Sequence, residues 1–160
     1  MTQRSLRTAT AGVALVLSTA CGSNESVLLE AKVEAPSLTV TATALTTEVA
    51  GSFDIGLSLG DLASDPTTVK LGTFALERND AVLLSPLKLE TTPAFPISVD
   101  VGESKRVEVT IANPDSPPEL AQGLCSAELQ IRGTLTDSLG DDRPHTVTSL
   151  PFSPACTPLD

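Results

Sequence analysis

Apolar and polar residues alternate one for one along most of this chain after Val27, and that period confines it to strands buried on one face. Leu29, Ala31 and Val33 interleave with Glu30, Lys32 and Glu34, and Phe53, Ile55, Leu57 and Leu59 interleave with Asp54, Gly56, Ser58 and Gly60. The pattern recurs over 38–45, 69–76, 82–89, 95–101, 107–111, 129–135 and 147–152. Turn residues punctuate these runs at Asp65-Pro66, Arg78-Asn79-Asp80, Val101-Gly102-Glu103-Ser104 and Leu139-Gly140-Asp141-Asp142. About eight or nine short strands at this spacing predict one all-β antiparallel sandwich over residues 27–160. Its inward faces should include Phe53, Ile55, Leu57, Phe95, Ile97, Val99, Val107, Val109 and Ile111, a set that a slip of one residue would invert. A single helical turn is expected at Pro118–Gln122, with Gly123 just past its end.

The start of the chain has a different character. Residues 1–8 carry Arg4 and Arg7 and no acid, Ala9 to Leu17 is mostly apolar, and Leu17-Ser18-Thr19-Ala20-Cys21 follows. This is the layout of a secretory signal, too short to remain as a membrane span. The run before Cys21 resembles the lipobox of bacterial lipoproteins, in which a small residue precedes a cysteine that is diacylated on sulfur and becomes the new amino terminus. That resemblance implies loss of residues 1–20, lipidation of Cys21, and anchorage in the membrane through the acyl chains. Ser18-Thr19-Ala20 also satisfies the small-x-small rule of ordinary signal cleavage, which would release a soluble protein with a free Cys21.

Gly22-Ser23-Asn24-Glu25-Ser26 reads as a polar tether of about 17 Å at full stretch. By resemblance to the sorting rule of enteric bacteria, Gly22 in place of Asp implies the outer membrane. Loss of the two signal arginines leaves 8 basic residues against 20 acidic ones, a net charge of −12. Nucleic acid is therefore not an expected partner. Only four aromatics occur, all Phe, so the flat platforms that stack on sugars or bases are missing.

Val99-Asp100-Val101-Gly102-Glu103-Ser104-Lys105-Arg106-Val107-Glu108-Val109 resembles the middle hairpin of bacterial immunoglobulin-like domains, where a Gly-Glu-Ser turn joins two strands of alternating valines. The strand ending in Gly133-Thr134-Leu135 is similar to that class as well. The resemblance covers residues 95–152 and implies an immunoglobulin-like sandwich, with no activity attached, because such sandwiches host many unrelated functions.

Candidate chemistry is thin. Gly56-Leu57-Ser58-Leu59-Gly60 matches the G-x-S-x-G nucleophile elbow, with acids and His145 following in the order a hydrolase would need. An elbow requires a strand entering a tight turn and a helix leaving it, whereas Ser58 lies inside an alternating run. His145 is the only imidazole, and the cysteines are not at C-x-x-C spacing, so no zinc site is expected; it reads as an exposed residue at a strand start. Asp137, Asp141 and Asp142 could hold calcium, but they lack the ligand spacing of the known loop, and a solvated acidic turn is the simpler reading. Glu30, Glu34, Glu48, Asp54 and Asp61 could supply paired carboxylates, yet acids that alternate with apolar residues are usually the wet face of a sheet.

No catalytic residue, cofactor or metal is therefore expected. Elimination leaves a lipid-anchored structural or protein-interaction module of the cell envelope, whose partner is another envelope protein. An adhesin or ligand-binding module using a loop at 113–123 comes second, and a small serine hydrolase built on Ser58 third.

An exported chain meets an oxidising compartment, so the two cysteines left after acylation, Cys125 and Cys156, should pair. Their midpoint falls in the turn at 140–141. A hairpin with residue numbers summing to 281 sets Cys125 opposite Cys156, Leu129 opposite Phe152, and Ile131 opposite Leu150. Pro151 and Pro154 withhold two backbone donors, so the last strand should lie at an edge or break near its end.

Overall fold

Residues 29–157 are described by a computed structural model; the signal segment, Cys21 and the tether lie outside the described residues. The alternating runs form ten strands and one short helix. In chain order these are β1 (Leu29–Ala42), β2 (Thr47–Leu59), β3 (Thr67–Arg78), β4 (Ala81–Leu84), β5 (Leu89–Thr92), β6 (Ile97–Val99), β7 (Ser104–Ser116), α1 (Leu120–Cys125), β8 (Gln130–Asp137), β9 (Pro144–Thr148) and β10 (Ala155–Thr157). They build two packed sheets, as the alternation predicts. The first runs β10-β1-β2-β7-β5; the second runs β4-β3-β8-β9, with β6 also on β3. All pairings are antiparallel except β10 on β1, which is parallel.

The inward faces are those the period specifies. Phe53, Ile55 and Leu57 of β2 and Val107, Val109 and Ile111 of β7 are fully buried, as are Phe74, Leu76, Ile131 and Leu135 from the opposite sheet. Ile97 and Val99 are buried too, but Phe95 is only partly covered because it sits before β6, where the chain crosses between sheets. The stretch read as 29–33 and most of that read as 38–45 are one strand, β1, which ends at Ala42 and is bent by a bulge at Ala35-Pro36, where Ala35 takes φ 48°. Asn79 and Asp80, both at positive φ, close the β3–β4 turn.

The valine hairpin is not a hairpin. β6 pairs with β3 in the second sheet while β7 pairs with β2 and β5 in the first, so Val99 and Val107 reach the core from opposite sides. The linking turn is fixed by Gly102, at φ 75°, whose N–H donates to Leu59 O while Leu59 N–H donates to Glu103 O. The Glu103 side chain accepts from the Asp100 N–H at 2.9 Å. That bond, with Lys105 beside it, holds the Glu103 carboxyl below the usual glutamate range.

One glycine shapes the core. Phe74 and Gly133 are opposite each other on β3 and β8, and the Phe74 ring lies across Gly133 so closely that a Cβ there would stand 2.3 Å from it. The ring also stacks on Phe53, with centroids 5.6 Å apart. Gly133→Ala should therefore cost about 1–3 kcal/mol by overpacking. Phe74→Leu in the same chain should return part of that loss, because the two positions share one space. Urea unfolding of the two single variants and the double checks it; additive losses would mean that the ring moves aside freely.

Candidate functional site

The polar face of the first sheet carries its clearest concavity, an open groove of about 300 Å³ across β1, β2 and β7. Gly56, without a side chain in the middle of β2, leaves the depression, and Glu30, Lys32, Glu34, Ser104, Lys105 and Arg106 rim it. Register explains the clustering, since Glu34 faces Asp54 and Gly56 faces Arg106 across the strands. Arg106 reaches Glu34 at 3.0 Å and Asp54 at 3.7 Å, and Lys105 reaches Glu103 at 3.1 Å. These exposed pairs stabilise little, on the order of 0–1 kcal/mol each, and their groups can exchange partners.

Ser58 lies on this rim, inside β2 and one residue before its end. Its Oγ is 2.9 Å from Ser104 Oγ, and no histidine lines the groove. A loop leading to β3 follows, not a helix. Ser58 Oγ thus bonds a hydroxyl, with Glu30 opposite it on β1, and the site lacks both the imidazole and the strand–turn–helix geometry an elbow needs.

His145 is held elsewhere, on β9 of the second sheet, with Nε2 2.6 Å from Asp137 Oδ2. Asp137 corrects the reading of a solvated acidic turn, because it is buried, at 2% exposure. Its Oδ1 accepts from the N–H groups of Leu139 and Gly140 at 2.9 and 2.8 Å and from Thr67 Oγ1 at 3.2 Å. Asp142 instead pairs with Lys70 at 2.9 Å. Asp137 and Asp142 therefore have separate partners, and among the described residues no group of His, Cys, Asp or Glu is gathered as a metal site.

The loop expected at 113–123 is mostly regular structure. Residues 113–116 continue β7, and 120–123 belong to α1, which runs through Gly123 to Cys125. Asn113 is buried, and its Oδ1 accepts from the Lys88 N–H at 3.0 Å, so it is not a free recognition residue.

Cys125 and Cys156 are bonded, with Cα atoms 6.1 Å apart. The bond does not join facing strands of the last hairpin, because Cys125 ends α1 and Cys156 lies in β10, on the edge of the other sheet. The hairpin register holds at Leu129 and Phe152. It shifts by one for the β8–β9 ladder, where Arg132 faces Thr148, so Leu150 does not oppose Ile131 and is 80% exposed. Pro151 and Pro154 bracket the break that lets the chain change sheets. Between α1, β1 and β10 an almost wholly apolar groove of about 340 Å³ is lined by Val40, Ala42, Ala121 and the two cysteines.

The chain matches no known protein family, no characterised protein and no solved structure. No helix among the described residues is long and apolar enough to cross a membrane.

Proposed function

We propose that this protein is exported, loses residues 1–20, and is held in the cell envelope by lipid on Cys21, its sandwich acting there as a structural or protein-interaction module. The observation that carries this reading is the basic, then apolar, then Thr19-Ala20-Cys21 order of the leader. The first strand begins at Leu29, so the seven residues between it and Cys21 can span at most about 25 Å. The domain would ride close to the bilayer, and Gly22, where the sorting rule of enteric bacteria needs Asp to retain a lipoprotein at the inner membrane, favours the outer membrane. Two or three acyl chains suffice for stable anchoring, at about 0.8 kcal/mol per buried methylene. The groove that holds Ser58 pairs hydroxyls and exchangeable charges, a surface suited to contact and not to acyl transfer.

Metabolic labelling with a palmitate analogue tests the anchor. Wild-type protein should take the label and enter the detergent phase of a two-phase split, and Cys21→Ser should do neither. Equal labelling of the two, or a wild-type protein wholly in the aqueous phase, would overturn the reading. Crosslinking in native membranes, with mass spectrometry of what is recovered, should then return another envelope protein.

A further inference from the structure

The outer edge of β1 is covered by β10 only at Thr39, Val40 and Thr41. Among the described residues, Leu29 to Glu34 pair with β2 on one side and with no strand on the other. An open edge is a row of free N–H and C=O groups, and proteins guard such rows with prolines, bulges, charged side chains or charges that point inward. β1 has that protection at its bulge, where Pro36 offers no N–H. Upstream of the bulge the guard is the charged row Glu30, Lys32 and Glu34, which deters a neutral strand but admits one of complementary charge. Leu29 and Val33 point to the core and Ala31 is half covered, so no inward charge interferes. The outward positions Glu30, Lys32 and Glu34 alternate in sign, and an alternating row is complementary to itself.

We propose that two copies of this chain associate through the β1 edges, antiparallel and about a twofold axis at Ala31. Partner numbers then sum to 62. That register sets Leu29 against Val33 on the core face and Glu30 against Lys32 twice on the solvent face. The smallest side chain of the run meets its own copy on the axis. The next register, centred on Lys32, would set Lys32 against Lys32 and Glu30 against Glu34, so the charges select between the two. Odd sums are excluded because they place core side chains opposite solvent side chains. The contact is isologous and closes after two copies, joining the first sheets edge to edge. Within one chain Lys32 and Glu30 lie 3.6 Å apart and both are well exposed, so they can turn to the partner at little cost. Lipid anchoring would raise the effective concentration of the two copies, but the pairing does not depend on it.

The test mixes full-length chains of natural and heavy nitrogen and couples touching carboxylates and amines with a zero-length carbodiimide. Mixed-isotope Glu30–Lys32 crosslinks arise only between copies, and sedimentation gives the dimer fraction in parallel. Wild type should form both the crosslink and the dimer. Lys32→Glu turns two attractive pairs into repulsive ones and should weaken association roughly tenfold. Glu30→Lys with Lys32→Glu restores the complementarity and should restore the dimer. Both positions are exposed, so thermal unfolding should be unchanged in the dilute, monomeric range. The proposal is overturned by a wild type that stays monomeric with single-isotope crosslinks alone, by a Lys32→Glu variant that dimerises like wild type, by a charge swap that fails to restore the dimer, or by mixed-isotope crosslinks only at other positions.

Discussion

Reducing the Cys125–Cys156 bond should leave the sandwich folded and lower its unfolding free energy by about 3–4 kcal/mol. The bond spans 31 positions, and its loop encloses Leu129 together with β8 and β9, which supply Ile131, Leu135 and Val147 to the core. Opening that loop in the unfolded chain is where most of the loss arises in the chain-entropy account. The core itself does not contain the bond, since both cysteines are exposed, so the packed sheets should survive. For a domain of this size the change corresponds to a fall in Tm of roughly 10 °C or more. Thermal unfolding with and without a dithiol reductant, repeated on Cys125→Ala with Cys156→Ala, measures it. Equal Tm values would show that the bond contributes nothing. A reduced protein without a cooperative transition would show that the sheets need it to form.

Asp137→Ala should cost about 3–4 kcal/mol, far more than the loss of any other acid in its turn. The substitution strips the acceptor from the Leu139 and Gly140 N–H groups and from Thr67 Oγ1; hydrogen bonds to a charged acceptor contribute about 1.5–3 kcal/mol each, and water at the half-buried turn and Ser138 Oγ beside Thr67 offset part of that sum. Asp137→Asn should lose only about 1 kcal/mol, because the amide oxygen can take the same three donors. Asp141→Ala and Asp142→Ala should lie within ~0.5 kcal/mol of wild type, apart from any strain at their positive φ angles. Chemical denaturation of the four variants gives the ranking, and a similar loss for Asp137→Ala and Asp142→Ala would refute the anchoring role.

Which residues face the core was legible from period two alone, since Phe53, Ile55, Leu57, Val107, Val109 and Ile111 are all buried. Which sheet a strand joins was not. Val99 and Val107 lie on strands with the same alternation, and a pattern that marks a face is identical for strands facing each other across the core, as β6 and β7 do. The cysteine pair was legible from compartment chemistry, while its position was not. Arithmetic on a continuous hairpin places Cys156 on the second sheet, but the regular ladder ends at Thr148, a single bridge at Phe152 lies between Pro151 and Pro154, and the chain then leaves for β1. Asp137 had no sequence signal apart from Asp141 and Asp142, because burial of one acid in a turn depends on the strand beside it, here the Thr67 end of β3.

The parallel placement of β10 has a practical side. Thr157 lies beside Thr41, twelve residues along β1 from Leu29, or about 40 Å at strand rise. The polypeptide therefore enters this domain at one pole and leaves the last described strand at the other. A reporter joined downstream of Thr157 would follow from the far pole, clear of whatever holds the first, whereas one placed ahead of Leu29 would crowd it. Carboxy-terminal fusions are thus the ones suited to asking which side of a membrane the molecule faces.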